Sequence, residues 1–283
     1  MTFDPVAYKA TTRQQWEDHA EAWHRWGPTL EHWLGEATEA MLDAAGIGAG
    51  SHVLDVAGGA GGQAFAAARR TGPGGRVVVT DVSPSILSFA QRSADETGLR
   101  HVTTREVDGE ELGSTWSGEF DAAISRVGLI YFPDRRRALQ GIRSALRDGG
   151  RFAAIVYTTA EKNAFFSVPI GIIRRHAGLG APTPGQPGPF SLGDPEAAAG
   201  TFQAAGFSDV KVETLAAPLR LPSTDDCVRF ERESFGALHQ MLSGVPEDRR
   251  ETVWDEVASA LAAFENADGF VGPCELHVIS GAR

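Results

Sequence analysis

Short apolar runs alternate with longer stretches of helical spacing through most of the chain. The apolar runs predict strands at residues 53–56, 76–81, 101–107, 120–125 and 151–157, and later at 209–215 and 274–280. Between the first five runs, apolar residues recur every three or four positions, as on the buried side of a helix. This order predicts an α/β fold with a seven-stranded, mostly parallel sheet that is covered by helices on both faces.

Two regions of helical pattern lie outside this alternation. Near the N-terminus, Trp16 and Trp23 stand seven residues apart, with Ala20 between them on the same side of a predicted helix. This helix either packs permanently on the domain or closes as a lid over a ligand, and both can hold together. Residues 224–266 predict two helices interrupted near 243–246. The expected divisions are a helical N-terminal lid at 1–45, a core at 46–222, a helical cap insertion at 223–268 and the final core strand at 269–283.

The glycine turn, which we define as residues 57–62, directly follows the first predicted strand. Its sequence, AGGAGG, leads into a run of good helix formers. Glycine permits a sharp turn and close approach of a ligand to the backbone. A helix N-terminus presents unpaired N–H groups to that ligand. The turn therefore predicts a binding site for a nucleotide-like cofactor.

Two cofactors compete for this turn. Gly59, Gly61 and Ala64 fit the spacing of the dinucleotide fingerprint, and Asp81 follows at the distance of a ribose-binding acid. However, Asp55 stands just ahead of the turn, where a carboxylate would repel a pyrophosphate. S-adenosylmethionine carries an ammonium and a sulfonium and has no phosphate, so its charges suit Asp55 better.

Polar side chains recur where successive predicted strands end. Asp55, Asp81, Asp108 and Ser125 all occupy such positions. The carboxyl ends of parallel strands share one edge of the sheet, which is where cofactors bind in folds of this kind. Crowded carboxylates need a cation or hydroxyl groups as partners. The set therefore favours a ligand that combines positive charge with ribose hydroxyls.

Composition narrows the range of partners. The chain has 283 residues, 42% of them hydrophobic, and a formal net charge of −11, so binding to a nucleic-acid backbone through bulk electrostatics is disfavoured. Cys227 and Cys274 form neither a metal-binding pair nor a disulfide framework. We find no apolar stretch long enough to span a membrane and no signal-peptide pattern at the N-terminus. A cytoplasmic protein with a small-molecule partner is expected, with homo-oligomers left open.

Five stretches of the chain form a set with a characteristic order and spacing: VLDVAGGAG at 53–61, TDVSP at 80–84, VDGEEL at 107–112, FDAAISR at 120–126 and LRDGGRF at 146–152. Together they resemble the class I S-adenosylmethionine-dependent methyltransferases, in the branch of the ubiquinone and menaquinone C-methyltransferases and related small-molecule enzymes. The resemblance covers about residues 50–157 and implies a Rossmann-like fold. Ala57 departs from the pattern, because the family usually has glycine there.

The resemblance also implies which residues hold the cofactor. The methionine part would meet Asp55 and the glycine turn, the ribose would meet Asp81, and the adenine would meet Asp108. The expected cofactor-binding residues are Asp55, Ala57, Gly58, Gly59, Gly61, Asp81, Val82, Asp108, Gly109, Ser125, Arg126 and Trp23. S-adenosylhomocysteine would be the product.

Catalytic residues are harder to identify, because methyl transfer mainly needs alignment and exclusion of water. Tyr157, at the end of the fifth strand, and the histidines His24 and His176 are the candidates. Metal assistance would need acidic ligands near the ends of the fourth and fifth strands, which the sequence does not supply, so no metal is predicted. Aromatic residues in the lid and cap favour a small, largely apolar or aromatic acceptor, as in bacterial secondary metabolism.

Three functional hypotheses stay open from the sequence. The preferred one is a small-molecule methyltransferase. The second is an NAD(P)-dependent oxidoreductase that uses the same glycine turn. The third is a non-catalytic binding protein with a methyltransferase-like fold, for which Ala57 is the supporting feature.

Overall fold

The computed structural model describes residues 3–183 and 185–283. The helices are α1 (Pro5–Arg25), α2 (Gly27–Ala44), α3 (Gly62–Thr71), α4 (Pro84–Glu96), α5 (Leu112–Thr115), α6 (Arg135–Ala145), α7 (Ala164–His176), α8 (Pro195–Ala204), α9 (Thr224–Ser234), α10 (Gly236–Leu242) and α11 (Glu247–Leu261). The strands are β1 (His52–Val56), β2 (Arg76–Asp81), β3 (Val102–Glu106), β4 (Phe120–Arg126), β5 (Leu146–Tyr157), β6 (Ser208–Ala216), β7 (Leu219–Leu221), β8 (Glu265–Asn266), β9 (Gly269–Gly272) and β10 (Glu275–Ala282).

Within these described residues, seven strands form one sheet in the order β3-β2-β1-β4-β5-β10-β6. The first five strands in this order run parallel, and β10 runs antiparallel to both of its neighbours. The predicted α/β fold with a mostly parallel seven-stranded sheet is confirmed. Strands β2 and β3 are added on one side of β1, and β4 and β5 are added on its other side, so the strand order switches direction at β1. Such a switch point opens a crevice at the carboxyl ends of the strands.

Local sequence signals set several helix starts. The Ser83 side chain accepts a hydrogen bond from the backbone N–H of Ile86, and Pro84 occupies the first turn of α4. Asp194 and Pro195 begin α8 in the same way. The strands around the switch point are buried on both faces, as the run Val53–Val56 shows.

The structure differs from the predicted boundaries in three places. Helix α6 ends at Ala145 and β5 already begins at Leu146, so the strand includes Gly149, which has a positive φ of 79°. The first predicted helix of the cap is broken at Phe235 into α9 and α10. Residues 269–272 pair with β7 in a separate small sheet rather than starting the final core strand. The first and third of these departures depend on strand-pairing partners that lie far away in sequence.

Helix α1 lies across the carboxyl edge of the main sheet. It contacts α4 on one side and the cap helices α9 and α10 on the other. Its inner side buries Thr12, Ala20 and Ala22. Helix α1 therefore connects helix α4, which packs on the main sheet, to the cap helices. None of the described helices is long and apolar enough to cross a membrane.

Candidate cofactor and acceptor site

A cavity of about 490 Å³ opens at the carboxyl edge of the sheet, between the switch point, α1 and the cap. Its walls come from the glycine turn, the ends of β2, β4 and β5, the segment after β3, and the first two helices. Backbone and carboxyl groups line one end, and aromatic rings line the other. The sequence-predicted residues on its walls are Trp23, His24, Ala57, Gly58, Gly59, Gly61, Asp81, Val82, Asp108, Gly109, Arg126 and Tyr157.

The glycine turn has the backbone geometry that its sequence predicts. Gly59 and Gly61 adopt positive φ values of 57° and 89°. Ala57 also has a positive φ, of 54°, which is a strained conformation for a residue with a Cβ atom. Gly58 is required for a different reason, since a Cβ atom there would lie 2.6 Å from Asp55 Oδ2. The turn is therefore packed directly on the Asp55 carboxyl.

Asp55 lies behind the cavity wall, which corrects the expectation that it meets a cationic ligand directly. Its side chain is fully buried, and Oδ1 accepts a hydrogen bond from Gln63 Nε2 at 3.2 Å. Oδ2 has no hydrogen-bond partner in the described part of the chain. Burial raises the pKa of this carboxyl to about 7, although Gln63 and Arg126 oppose the shift. Asp55 thus supports the turn from beneath, with one oxygen free.

Asp81 faces the cavity and also holds the glycine turn. Its Oδ2 accepts a hydrogen bond from the backbone N–H of Gly59 at 3.0 Å, and its Oδ1 accepts one from that of Ser83 at 3.1 Å. Burial raises its pKa to about 6 despite these bonds. Each carboxylate oxygen keeps a second lone pair, so the group can still accept hydroxyl donors from a ligand.

Asp108 lies at the same end of the cavity and already has a cationic partner. Lys9 Nζ of α1 lies 2.8 Å from Asp108 Oδ2 and 2.5 Å from Oε2 of the buried Glu110. Gly109, next in sequence, is packed so closely that a Cβ atom would lie 2.4 Å from Phe132 Cζ. The Phe132 ring is therefore packed directly against Gly109 and leaves no room for a side chain there.

Arg126 provides positive charge beside the start of α3. Its Nη1 donates to Thr38 Oγ1 at 3.1 Å, and its Nη2 lies 3.0 Å from where a Cβ atom of Gly62 would be. Burial lowers its pKa to about 10, so the guanidinium stays charged at neutral pH. Ser125 is buried behind the wall, and its Oγ has no partner within residues 3–183 and 185–283. A guanidinium next to a helix N-terminus suits a carboxylate.

Aromatic side chains form the opposite end of the cavity. Trp33, Phe235 and Tyr157 line it together with Trp23, whose Nε1 donates to the Ser234 carbonyl at 2.8 Å. Burial, followed by the neighbouring Cys274, Tyr131 and Glu231, raises the pKa of the Tyr157 hydroxyl well above its usual value. Tyr157 is therefore protonated at neutral pH and is suited to donate a hydrogen bond rather than to act as a base.

The structure separates the two candidate histidines. His24 lies on the cavity wall with its ring stacked on Phe89 at a centroid distance of 4.8 Å. His176 lies at the end of α7, where Nε2 is 2.6 Å from Glu256 Oε2, and it does not line the cavity. The expectation of a catalytic His176 is therefore corrected, because an ion pair with a cap helix holds it elsewhere.

Sequence reasoning missed several residues of the cavity. Lys9, Glu31, Trp33 and Phe235 all line it. Trp33 and Phe235 gave a signal as apolar positions of predicted helices, but periodicity does not distinguish a core residue from a cavity wall. Among residues 3–183 and 185–283, no three His, Cys, Asp or Glu side chains are grouped to hold a metal ion.

Comparison with known proteins agrees with this geometry. Residues 53–150 match a protein-family model described as a methyltransferase domain. The chain carries a class I S-adenosylmethionine-dependent methyltransferase domain. The match contains the glycine turn, Asp81 and Asp108, and S-adenosylmethionine is the cofactor of this class of domain. The comparisons do not single out the ubiquinone and menaquinone branch, so that finer assignment stays a prediction.

Three similar proteins show how much of the chain resembles known proteins. An uncharacterized protein of Mycobacterium tuberculosis is 31% identical over 56% of this chain and 54% of its own length, so the chain spans about half the length of the first curated relatives that it matches. Nocamycin O-methyltransferase of Saccharothrix syringae is 28% identical over 79% of this chain and 82% of its own. The YcgJ protein of a Bacillus species shares the fold of the methyltransferase domain, with a TM-score of 0.60 at 19% identity over 88% of this chain and 98% of its own.

Proposed function

We propose that this protein transfers a methyl group from S-adenosylmethionine to a small, largely apolar or aromatic acceptor of bacterial secondary metabolism. The observation that carries the proposal is the two-ended cavity, with carboxylates and a glycine turn at one end and aromatic rings at the other. The similarity to an O-methyltransferase named for nocamycin supports the metabolic context. We also propose the divisions 1–45, 46–222 and 223–268 as lid, core and cap.

The polar end of the cavity fits an adenosyl cofactor. In the proposed arrangement, the N-terminus of α3 and Arg126 receive the methionine carboxylate, Asp81 accepts the ribose hydroxyls, and Asp108 accepts the adenine amino group. Support comes from the place of Asp81, Asp108 and Arg126 on the cavity wall together with the glycine turn. The bound cofactor would supply a methyl group on a positively charged sulfur, whose leaving form is neutral.

The other residues of the site would align the acceptor and exclude water. Trp23, Trp33 and Phe235 offer flat apolar surfaces against which an aromatic acceptor can pack. The Tyr157 hydroxyl keeps its proton and would orient an acceptor oxygen by donating a hydrogen bond. His24, on the cavity wall, is the group best placed to take a proton from an acceptor that must lose one. Alignment of this kind contributes most of the rate in a direct displacement.

Calorimetry with cofactor products tests the proposal. We expect purified protein to bind S-adenosylhomocysteine with micromolar affinity, and to bind NAD⁺ and NADP⁺ much more weakly. Asp255→Ala, on the exposed side of α11 far from the cavity walls, is the matched control and should bind as the wild type does. A folded protein that binds NADP⁺ better than S-adenosylhomocysteine would support the oxidoreductase instead. Cofactor binding without turnover of labelled S-adenosylmethionine over a broad metabolite panel would favour the non-catalytic alternative.

A further inference from the structure

The cap contains a buried carboxyl that no part of the proposed cofactor site uses. Glu231 of α9 is fully buried, and neither of its carboxyl oxygens has a hydrogen-bond partner in the described chain. Three residues further on, the Ser234 hydroxyl is also buried and also lacks a partner in the part of the chain that the structure describes. Side chains three residues apart lie on the same side of a helix. Two unsatisfied polar groups therefore lie together in the cap.

The surroundings of Glu231 are the aromatic end of the cavity. Phe230 packs on Phe235 at a centroid distance of 5.3 Å and on Trp33 at 6.3 Å, and both partners line the cavity. The backbone carbonyl of Ser234 accepts the indole N–H of Trp23, a third residue of the wall. Glu231 is also among the groups that act on the Tyr157 hydroxyl, after burial, Cys274 and Tyr131. Glu231 therefore stands on α9 between Phe230 and Ser234, two residues that contact this aromatic wall.

The helical segment of the cap is interrupted at Phe235, which lines the cavity. Phe235 has φ −90° and ψ 81°, outside the helical region, and it separates α9 from α10. Gly236 follows it directly. A ring at a helix break next to a glycine can turn aside at lower cost than a ring in the middle of a helix. Movement of the Phe235 ring would therefore change the cavity wall next to α9, the helix that carries Glu231.

Leaving a buried carboxyl unpaired destabilises a protein, and such groups tend to mark functional positions. We propose that Glu231, with Ser234 beside it, binds a hydroxyl or keto oxygen of an aromatic acceptor at the end of the cavity remote from the cofactor. This inference rests on the proposed function, since the oxygen belongs to its acceptor. It adds an acceptor class: fused or single aromatic rings that carry an oxygen away from the methylated atom.

The neutral form of the carboxyl suits this role. Burial raises the pKa of Glu231 well above its usual value, which favours the protonated, neutral form of the carboxyl. A protonated carboxyl offers one O–H donor and a carbonyl acceptor, which match a phenol or a ketone. The same group in an apolar surrounding offers little to an ammonium ion unless it loses its proton. Glu231 acts as a positioning residue and takes no part in the displacement itself.

Calorimetry with a matched pair of probes tests the inference, in the presence of saturating S-adenosylhomocysteine. The probes are 1-naphthol and 1-methoxynaphthalene, which share a ring system but differ in the hydroxyl donor. We expect the wild type to bind 1-naphthol more tightly than its methyl ether. Glu231→Leu should weaken 1-naphthol binding about fivefold to tenfold, the effect of one lost hydrogen bond in a buried site, and leave the ether unchanged. Glu231→Gln, which keeps a donor and an acceptor, should retain the preference.

Stability separates this role from a purely structural one. Glu231→Leu replaces an unpaired polar group by an apolar one, so its melting temperature should equal or exceed that of the wild type while the preference for the hydroxyl is lost.

Thr224→Val is the matched control, because the Thr224 hydroxyl is also buried on α9 and unpartnered in the described chain. This control should leave both probe affinities unchanged. A wild type without preference for 1-naphthol, or an equal loss for both probes in Glu231→Leu, overturns the inference. If those samples still bind S-adenosylhomocysteine, the inference about Glu231 fails and the proposed function is unaffected. If the wild type does not bind S-adenosylhomocysteine, the proposed function itself fails.

Discussion

Lys9 Nζ lies 2.8 Å from Asp108 Oδ2, although 99 residues separate the two in the chain. The same ammonium pairs with the buried Glu110, whose Oε1 also accepts the backbone N–H of Asp134 at 2.9 Å. The second turn of α1 is thereby held to the segment that is proposed to receive the adenine. A second pair, between Arg13 and Glu106, is more exposed. The start of α1 and the cofactor site are thus mechanically joined.

Replacing Lys9 should loosen α1. In Lys9→Met the buried Glu110 loses its cation, so amide hydrogen exchange over residues 5–12 should speed up about fivefold or more, as expected for the loss of roughly 1 kcal/mol of local stability. Mass spectrometry after timed exchange measures this. Arg13→Met is the matched control and should change exchange less than about twofold, because Arg13 and its partner Glu106 are both about half exposed. Equal effects of the two variants would argue against the special role of Lys9.

Asp81 should determine much of the cofactor affinity. Asp81→Ala removes the carboxylate proposed to accept the ribose hydroxyls, and we expect S-adenosylhomocysteine binding to weaken by about 1–3 kcal/mol. Asp81→Asn keeps one acceptor oxygen and should lose less. Because Asp81 also binds the N–H groups of Gly59 and Ser83, circular dichroism must show that each variant is folded. Unchanged affinity in a folded Asp81→Ala protein would mean that the ribose site is assigned wrongly.

The buried Asp55 should make stability depend on pH. Its folded-state pKa of about 7 exceeds its ordinary value of 3.8, so the folded protein binds the extra proton between these limits. A raised carboxyl pKa lowers the free energy of unfolding as pH rises from about 4 to about 7, and the penalty is complete above that. Asp55→Asn removes this titration. Its stability relative to the wild type should therefore be greater at pH 7.5 than at pH 4.5 in urea unfolding, and a constant difference would contradict the account.

Ala57 should be replaceable by glycine with a gain. Its φ of 54° costs a residue with a Cβ atom about 1–2 kcal/mol, which exceeds the roughly 0.5–1 kcal/mol of backbone entropy that glycine loses on folding. Ala57→Gly should thus raise the free energy of unfolding by up to about 1 kcal/mol and retain S-adenosylhomocysteine binding. Ala60→Gly, in the same turn but without positive φ, should instead lower it. Loss of stability in both variants would show that the Ala57 methyl group contributes packing that outweighs its strain.

Much of the fold could be predicted because its signals are local. The alternation of apolar runs and helical periods indicated a mostly parallel sheet, and the Ser83 cap with Pro84 after it shows how a local signal sets the start of α4. Boundaries that depend on distant pairing were wrong, as at Leu146 and at 269–272. A strand pattern states that a segment can pair but not which edge it will meet.

The candidate site divides in the same way. Strand-end positions brought Asp81 and Asp108 to the cavity, because parallel strands share their carboxyl edge. Asp55 also lies near the end of a strand, next to the glycine turn in sequence. Its side chain nevertheless points beneath the turn, since alternate residues of a strand face opposite sides of the sheet. His176 was a candidate only because histidine can act as an acid or base. In the structure it pairs with Glu256 instead of lining the cavity.

By itself, the sequence determined which segments form the seven strands of the main sheet, the glycine turn and the polar residues at the strand ends, because each depends on neighbours within a few positions. Only the tertiary structure decided that Lys9 meets Asp108 and that the buried Glu231 carboxyl has no hydrogen-bond partner among the described residues. Such relations join segments that are far apart in the chain, and packing in three dimensions fixes them where local propensity cannot.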